Sequence, residues 1–189
     1  MLFRSVRNKR LVELFQRSGV NAIGLTGIDG GMVRGARNKG IRVREGNKNL
    51  IKRDFSGKPR EVNGALLELL LDNGYTPVLT IPILDEKGYA VNSENDDIVN
   101  ALHSTLGARQ IIQLIEAPGF LENAADPDSL VPEMTRAEVA IREQSVEGRM
   151  KRKMLALKSL VQTGDVEVII ADGRREQDRK STRLNSSHS

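Results

Sequence analysis

Apolar residues recur at spacings of three and four along much of the chain, which is typical of amphipathic helices. Glycines directly after two of these stretches, Gly19 and Gly74, are typical helix stops. Ser93 or Asn95 can cap the helix that follows them. The pattern predicts five helices, at residues 8–18, 62–73, about 96–106, near 135–142 and 150–163.

Short apolar runs lie between the predicted helices and end in turn residues, which is typical of buried strands. They occur at residues 21–25, 76–81, 110–115 and 166–171, and hairpin strands are expected at 32–35, 41–44 and 50–53. This alternation predicts an α/β domain with a mainly parallel sheet and right-handed crossovers. Ligands of such sheets bind beyond the carboxyl ends of strands. We therefore expect the turns at 27–31, 92–96, 116–119 and 172–174 to line one rim.

The last ten residues, 180–189, are polar, lack periodicity and resemble translated cloning sequence. We therefore predict one domain over residues 1–177 and a non-native or disordered tail over residues 178–189. His188 in that tail is not considered as a ligand.

Composition narrows the classes of protein. The 189 residues are 39% hydrophobic and 29% charged, which describes an ordinary globular chain. No cysteine is present, which excludes a thiol nucleophile and a cysteine metal site, and we expect no metal-binding residues. The apolar run at 66–71 is far too short for a membrane span, and no secretory signal is evident. We expect a cytoplasmic protein that does not bind membranes.

The net charge of +4 is concentrated in residues 34–60, here called the basic hairpin region. This region has ten bases against two acids, Glu45 and Asp54. A solvated surface is one interpretation and a binding surface for an anionic partner is another. Nucleic acid is not favoured, because Phe55 is the only aromatic residue of the region and no recognition motif is present.

A second basic cluster, Gly148-Arg149-Met150-Lys151-Arg152-Lys153, opens the helix at 150–163. The N-terminal end of a helix carries partial positive charge and bare N–H groups, so cations there repel the helix end unless an anion compensates. Phosphate is a natural anion for this position. The alternative is a solvated charge run on a surface helix.

Five stretches, in this order, resemble the amino acid kinase family: NKRLVELFQRSG, NAIGLTGIDG, LLDNGYTPVLTIP, GRMKRKM and ADGR. Within its carboxylate kinases, the similarity is greatest to kinases that act on aminoadipate or glutamate held on an amino-group carrier protein, which are related to acetylglutamate kinases. The resemblance covers residues 1–177. It implies a three-layer αβα fold with a mainly parallel open sheet, plus a basic β-hairpin insertion.

The resemblance implies ATP-dependent phosphorylation of a side-chain carboxylate, with Mg²⁺, in lysine or arginine biosynthesis. It also implies an acidic carrier protein as the partner of the basic hairpin region, and a homodimer. Two alternatives stay open: an N-acetylglutamate kinase, whose small substrate needs no basic docking surface, and a nucleotide-binding regulatory domain without turnover.

The resemblance assigns Lys153 to transition-state stabilisation and Asp96 to orienting the catalytic lysines. Asn92 and Glu94 fall at substrate-binding positions. Without the resemblance, Lys153 is a surface helix lysine, and Asn92 and Asp96 are loop and cap residues. The segment Asn-Ser-Glu-Asn-Asp departs from the family pattern, because Glu94 adds a carboxylate beside an anionic substrate and then needs a cation.

For the nucleotide, the resemblance implies contacts with Glu116, Gly119, Gly148 and Met150, although a plain turn is an equal interpretation for 115–119. The pair Asp172 and Arg174 is interpreted as a structural ion pair. Family members begin with a strand that carries a lysine and glycine-rich turns, and nothing before Asn8 supplies them. We therefore expect an N-terminally truncated fragment that is inactive and marginally stable.

Overall fold

The computed structural model describes residues 2–45, 48–52, 55–123, 126, 128–145, 148–163, 165–174 and 181–185. For 2–5, 41–45, 48–52, 145, 148–150, 152–153, 163, 181 and 185 it describes the backbone alone. The chain divides into two compact units, Met1–Ala101 and Leu102–Ser189, and each is described by itself.

The first unit opens with a long helix and contains most of the described strands. In chain order it comprises α1 (Leu2–Arg17), β1 (Ala22–Thr26), β2 (Val33–Arg37), β3 (Ile41–Glu45), β4 (Lys48–Lys52), β5 (Gly57–Val62), α2 (Gly64–Asp72), β6 (Thr76–Thr80), β7 (Ile83–Leu84), β8 (Ala90–Val91) and the start of α3 (Asn95–Leu106).

Strand pairing in this unit is both parallel and antiparallel. β1 pairs with β6 in parallel, from Ala22 opposite Thr76 to Thr26 opposite Thr80. A second sheet has the order β5-β2-β7-β8, and β3 pairs with β4 as an antiparallel hairpin. The core of the unit is apolar and includes Met32, Val33, Leu67, Ile81, Ile83 and Val91.

The second unit is a four-stranded sheet with two helices. It comprises β9 (Gln110–Ile115), β10 (Glu133–Thr135), α4 (Arg136–Ser145), α5 (Gly148–Thr163), β11 (Glu167–Asp172) and β12 (Ser181–Asn185), with the strand order β10-β12-β11-β9. β9 and β11 are parallel. α5 buries Met154, Leu157, Leu160 and Val161, a stripe with helical spacing.

These elements confirm the predicted mixed α/β class with parallel pairing, and β9 coincides with the predicted strand. α1 begins at Leu2 rather than at Asn8. β5 was not predicted, because its sequence Gly-Lys-Pro-Arg-Glu-Val does not alternate apolar and polar residues.

Ser181–Asn185 lies within the predicted tail, yet it pairs with β10 and β11. That the tail is non-native stays a prediction. Among the described helices, none combines the length and apolarity that crossing a bilayer requires.

Candidate active site

The turn that follows β8 and the first turn of α3 carry three of the predicted site residues, and hydrogen bonds hold the backbone of Asn92 on both sides. The backbone N–H of Asn92 donates to the Phe55 carbonyl (2.7 Å), and the backbone N–H of Gly57 donates to the backbone carbonyl of Asn92 (2.8 Å). Asp96 lies in the first turn of α3, where the positive helix end stabilises a carboxylate. Asn92 and Glu94 are exposed, whereas Asp96 is half-buried.

A cavity of about 500 Å³ lies beside this turn. Its size is typical of a site for a small ligand. Asn92 and Glu94 both line it, as expected for substrate residues, whereas Asp96 is not among the described residues of its wall. The remaining wall comes from α1, the end of β6 and the turn itself: Arg7, Asn8, Leu11, Leu79, Thr80, Ile81, Ser93 and Asn95.

Ser93 is a wall residue that the sequence did not identify as functional. It is only 5% exposed, and its Oγ has no hydrogen-bond partner within the described part of the chain. Buried hydroxyls are nearly always hydrogen-bonded, so an unpaired one in a cavity wall is a place for a polar ligand. A serine before a helix is typical of a cap, which is why its sequence gave no functional signal.

Arg7 is the second missed residue of the wall. The extra carboxylate of Glu94 needs a nearby cation if an anionic substrate binds, and Arg7 lines the same cavity. The described part of the cavity wall therefore includes a cation, a carboxylate and the side-chain amide of Asn92. A group with both a carboxylate and an amide or amine matches this set. The one available signal was position, because Arg7 directly precedes the first stretch that resembles the kinase family.

Asn8 fixes α1, and with it Arg7, against the strands. Its buried Nδ2 donates to the Val78 carbonyl at 2.7 Å. Its Oδ1 packs against Gly24 so closely that a Cβ at Gly24 would overlap it. The absence of a side chain at Gly24 thus allows α1 to lie on β1.

The glycine-rich turn after β1 is held by Asp29. The Thr26 amide donates to Asp29 Oδ2 at 2.7 Å, and the Thr26 hydroxyl donates to the same oxygen at 2.8 Å. These bonds from Thr26, the backbone one first, lower the pKa of the Asp29 carboxyl below its ordinary value.

We expect the contribution of Asp29 to stability to depend on pH. Because the pKa of Asp29 is lower in the folded state, its contribution is complete above the unfolded value of about 3.9 and is lost as the pH falls through the folded value. In urea unfolding, Asp29→Asn should therefore be less stable than the wild type at pH 5–7, and the gap should shrink towards pH 3. Asp72→Asn, on the exposed side of α2, is the control. A gap that is constant over this pH range would contradict the assignment.

In the second unit, α5 carries Gly148, Met150 and Lys153 at its start. Only the backbone of these three residues is described, so their predicted contacts with nucleotide and phosphate stay predictions.

Two other cations of α5 bind a carboxylate of α4. Glu143 is 8% exposed, and its carboxylate lies 3.3 Å from Lys158 Nζ and 3.8 Å from Lys151 Nζ. Part of the positive charge of α5 is therefore neutralised within the fold.

The two candidate nucleotide residues after β9 differ in exposure. Glu116 is exposed, whereas Gly119 is buried and its Cβ position would lie 2.6 Å from Thr182 Oγ1 and 2.8 Å from Leu130 Cδ1. The space that the missing side chain of Gly119 leaves is thus already filled by Thr182 and Leu130 of the same chain. A nucleotide contact at either residue stays a prediction.

Asp172 and Arg174 form an ion pair at the end of β11, in agreement with the structural interpretation. Arg174 Nε and Nη2 lie 2.9 Å from the two oxygens of the buried Asp172 carboxylate. The hydrogen bond and charge of Asp172 raise the pKa of Arg174. The geometry is bidentate, which fixes this turn.

In the basic hairpin region, the side chains of residues 41–45 and 48–52 lie outside the described ones, as do Arg53 and Asp54. Arg34, Lys39, Lys58 and Arg60 are exposed. Arg37 is half-buried: its guanidinium lies 5.1 Å from the Phe55 ring centroid and 3.8 Å from Asp85 Oδ2. The backbone N–H of Arg37 also donates to Glu86 Oε2 at 2.9 Å, which lowers the pKa of Glu86.

Comparison with known proteins places these features. Residues 5–172 match the amino acid kinase family. The chain is 40% identical over 179 residues to LysW-aminoadipate kinase from Thermus thermophilus, covering 93% of this chain and 66% of that one. It is 36% identical over 175 residues to LysW-aminoadipate kinase from Deinococcus radiodurans, covering 92% of this chain and 60% of that one. It is 33% identical over 174 residues to acetylglutamate kinase from Methanopyrus kandleri, covering 91% of this chain and 69% of that one.

Solved structures agree on the fold. Giardia carbamate kinase superposes with a TM-score of 0.67 at 16% identity, over 94% of this chain and 68% of that one. N-acetylglutamate synthase from Neisseria gonorrhoeae superposes with a TM-score of 0.78 at 16% identity, over 100% of this chain and 43% of that one. The chain spans 66% and 60% of the two LysW-aminoadipate kinases named above. With the predicted turns and parallel strands in place, the chain belongs to the amino acid kinase family.

Proposed function

We propose that the protein uses ATP to phosphorylate the side-chain carboxylate of 2-aminoadipate or glutamate carried by an acidic amino-group carrier protein. The product is an acyl phosphate, formed in lysine or arginine biosynthesis. The observation that carries the proposal is the cavity beside β8, whose wall combines the predicted substrate residues Asn92 and Glu94 with the buried, unpaired hydroxyl of Ser93.

The cavity wall suits the part of the substrate that corresponds to an amino-acid backbone, that is, its carboxylate and its N–H group. The side-chain amide of Asn92 can donate to a carboxylate or carbonyl and accept from an N–H group. Glu94 can accept the N–H of the amide that would join the amino acid to its carrier, while Arg7 can pair with a carboxylate. Ser93 supplies one further hydroxyl.

The proposed reaction brings two anions together. An oxygen of the substrate carboxylate attacks the γ-phosphorus of ATP, the bond from that phosphorus to the ADP oxygen breaks, and ADP leaves with the electron pair. The substrate is the nucleophile, so no cysteine or serine nucleophile is required. A cation must offset the charge that grows on the transferred phosphoryl oxygens, and the proposal assigns this to Lys153 at the N-terminal end of α5. The resemblance to the family assigns Asp96 to orienting the catalytic lysines.

Mg²⁺ would neutralise part of the charge on the ATP phosphates. Within the described residues, no three carboxylates or histidines cluster closely enough to hold a metal ion. We assign no described residue to this ion.

The carrier protein is the partner proposed for the basic hairpin region. Arg34, Lys39, Lys58 and Arg60 present exposed positive charge, which would accelerate encounter with an acidic protein. This surface separates the proposal from an N-acetylglutamate kinase, whose free substrate gains nothing from it.

The proposal includes a homodimer. It is supported by three exposed apolar residues on α1, namely Leu11, Leu14 and Phe15, which are 47%, 42% and 39% exposed.

The proposal predicts acyl phosphate from the carrier-linked substrate. In the protein at its full natural length, hydroxylamine trapping should detect this product at low salt, with far less from free N-acetylglutamate. Raising the salt concentration should increase KM for the carrier-linked substrate, because salt screens the docking charges. Lys58→Glu with Arg60→Glu should raise this KM about 10-fold with little change in kcat, since docking charges act mainly on encounter.

Arg109→Glu is the matched control, because Arg109 is an exposed cation outside the basic hairpin region. Equal use of free N-acetylglutamate would favour that kinase activity instead. Nucleotide binding without trapped product from either substrate would favour the regulatory domain.

A further inference from the structure

The chain segments that enter and leave the hairpin β3–β4 meet at Asn38 and Ser56. Asn38 follows β2, and Ser56 precedes β5; the hairpin β3–β4 lies between them. The Asn38 amide donates to the Ser56 carbonyl at 2.9 Å, and Asn38 Nδ2 donates to Ser56 Oγ at 2.7 Å. We call Asn38 and Ser56 the hairpin clasp.

The backbone on either side of Ser56 holds the predicted substrate residue Asn92. Phe55 accepts from the Asn92 amide, Gly57 donates to the Asn92 carbonyl, and Ser56 itself pairs with Asn92 as a parallel bridge. Both main-chain polar groups of Asn92 are thus bonded to residues 55–57. Since Asn92 lines the cavity, its position there depends on where the backbone of residues 55–57 lies.

This backbone has little room to move independently. A Cβ at Gly57 would lie 2.9 Å from the Ala36 carbonyl oxygen and 3.1 Å from Val91 Cγ2. Gly57 also pairs with Arg37 in the ladder between β2 and β5. A displacement at the clasp therefore reaches Asn92 through two hydrogen bonds and close packing.

We propose that the hairpin clasp positions Asn92 for the substrate and links the basic hairpin region, on which the carrier is proposed to dock, to the cavity that is proposed to hold the carried amino acid. The inference rests on the proposed function. Asn38 and Ser56 act through Asn92 and do not touch the substrate; they are positioning residues.

The test is Ser56→Ala in the full-length protein, with kinetics on the carrier-linked substrate. Because Asn92 is assigned to substrate binding, the loss of one hydrogen bond to Ser56 should raise KM about 10-fold and leave kcat nearly unchanged. Ser56→Thr keeps the hydroxyl and suits extended backbone, so it should restore KM. Ser18→Ala, which loses the bond from its hydroxyl to the Leu14 carbonyl (3.0 Å) away from the cavity, should leave KM unchanged.

A double variant separates positioning from a general loss of stability. If Ser56 acts through Asn92, Ser56→Ala combined with Asn92→Ala should be no worse than Asn92→Ala alone. Additive effects, no effect of Ser56→Ala, or no rescue by threonine would overturn the clasp. If Asn92→Ala itself leaves KM unchanged, the proposed substrate site is wrong instead. Should Ser56→Ala fail to fold, Asn38→Ala removes the same side-chain bond and takes its place in the cycle.

Discussion

Lys153→Met in the full-length protein should lower kcat by roughly 10²–10⁵-fold, because it removes the cation assigned to the transferred phosphoryl group. The charge on those oxygens grows in the transition state, so the loss should fall on kcat. KM for the carrier-linked substrate should stay within about 3-fold, since the bound substrate gains little from this lysine. Methionine keeps the length of the side chain and its apolar stem, so α5 should remain folded by circular dichroism.

Lys151→Met is the matched control for this experiment. Lys151 is a cation of the same helical turn, and it lies 3.8 Å from the carboxylate of Glu143 on α4. Its charge is committed within the fold, so its loss should cost less than about 10-fold in kcat. Unchanged turnover in Lys153→Met would remove the catalytic assignment. Equal losses in both variants would show that the total charge of α5 matters rather than one placed cation.

The sequence predicted the elements whose local pattern is strong. β9 is a short, mostly apolar run that ends in turn residues, and α5 repeats its apolar residues with helical spacing, so both were found close to their true bounds. The position of Asn92 after a strand also followed from local pattern. β5 could not be found in this way, because its backbone is extended through pairing with β2 and not through apolar alternation.

The cavity wall shows what local pattern cannot supply. Arg7 and Asn8 on α1 reach the turn of Asn92 and Ser93 across more than eighty residues of sequence. No periodicity encodes that meeting; it follows from how α1 lies on the strands, which depends on Asn8 bonding to Val78. Ser93 illustrates the same limit, since its missing partner is visible only after the fold has buried it.

The charge count of the basic hairpin region needs a similar correction. Counting along the sequence gives ten bases against two acids, but the fold brings Asp85 and Glu86 to Arg37 from outside the region. Arg37 also stacks on Phe55. Arg37 is thus partly neutralised, and the docking surface is better represented by Lys58 and Arg60 than by the total charge of the segment.

Gly35→Ala should destabilise the chain by about 3 kcal/mol or more, the second large effect that we expect. Gly35 is buried in β2, and its Cβ would overlap the Lys58 carbonyl oxygen and lie 2.9 Å from Ile83 Cδ1. The carbonyl belongs to the backbone of β5 and Ile83 is fully buried, so neither can yield without moving a strand. Urea unfolding followed by circular dichroism would measure the loss.

Gly88→Ala separates steric overlap from backbone strain. Gly88 has a φ of +81° but nothing within 4 Å of its Cβ position, whereas Gly35 is not among the glycines with positive φ. Alanine at Gly88 should therefore cost only about 1 kcal/mol through strain. Similar losses in the two variants would contradict the packing of β2 between β5 and β7. Since β2 and β5 flank the hairpin clasp, a Gly35→Ala protein that still folds should also bind the carrier-linked substrate more weakly, whereas Gly88→Ala should bind it normally.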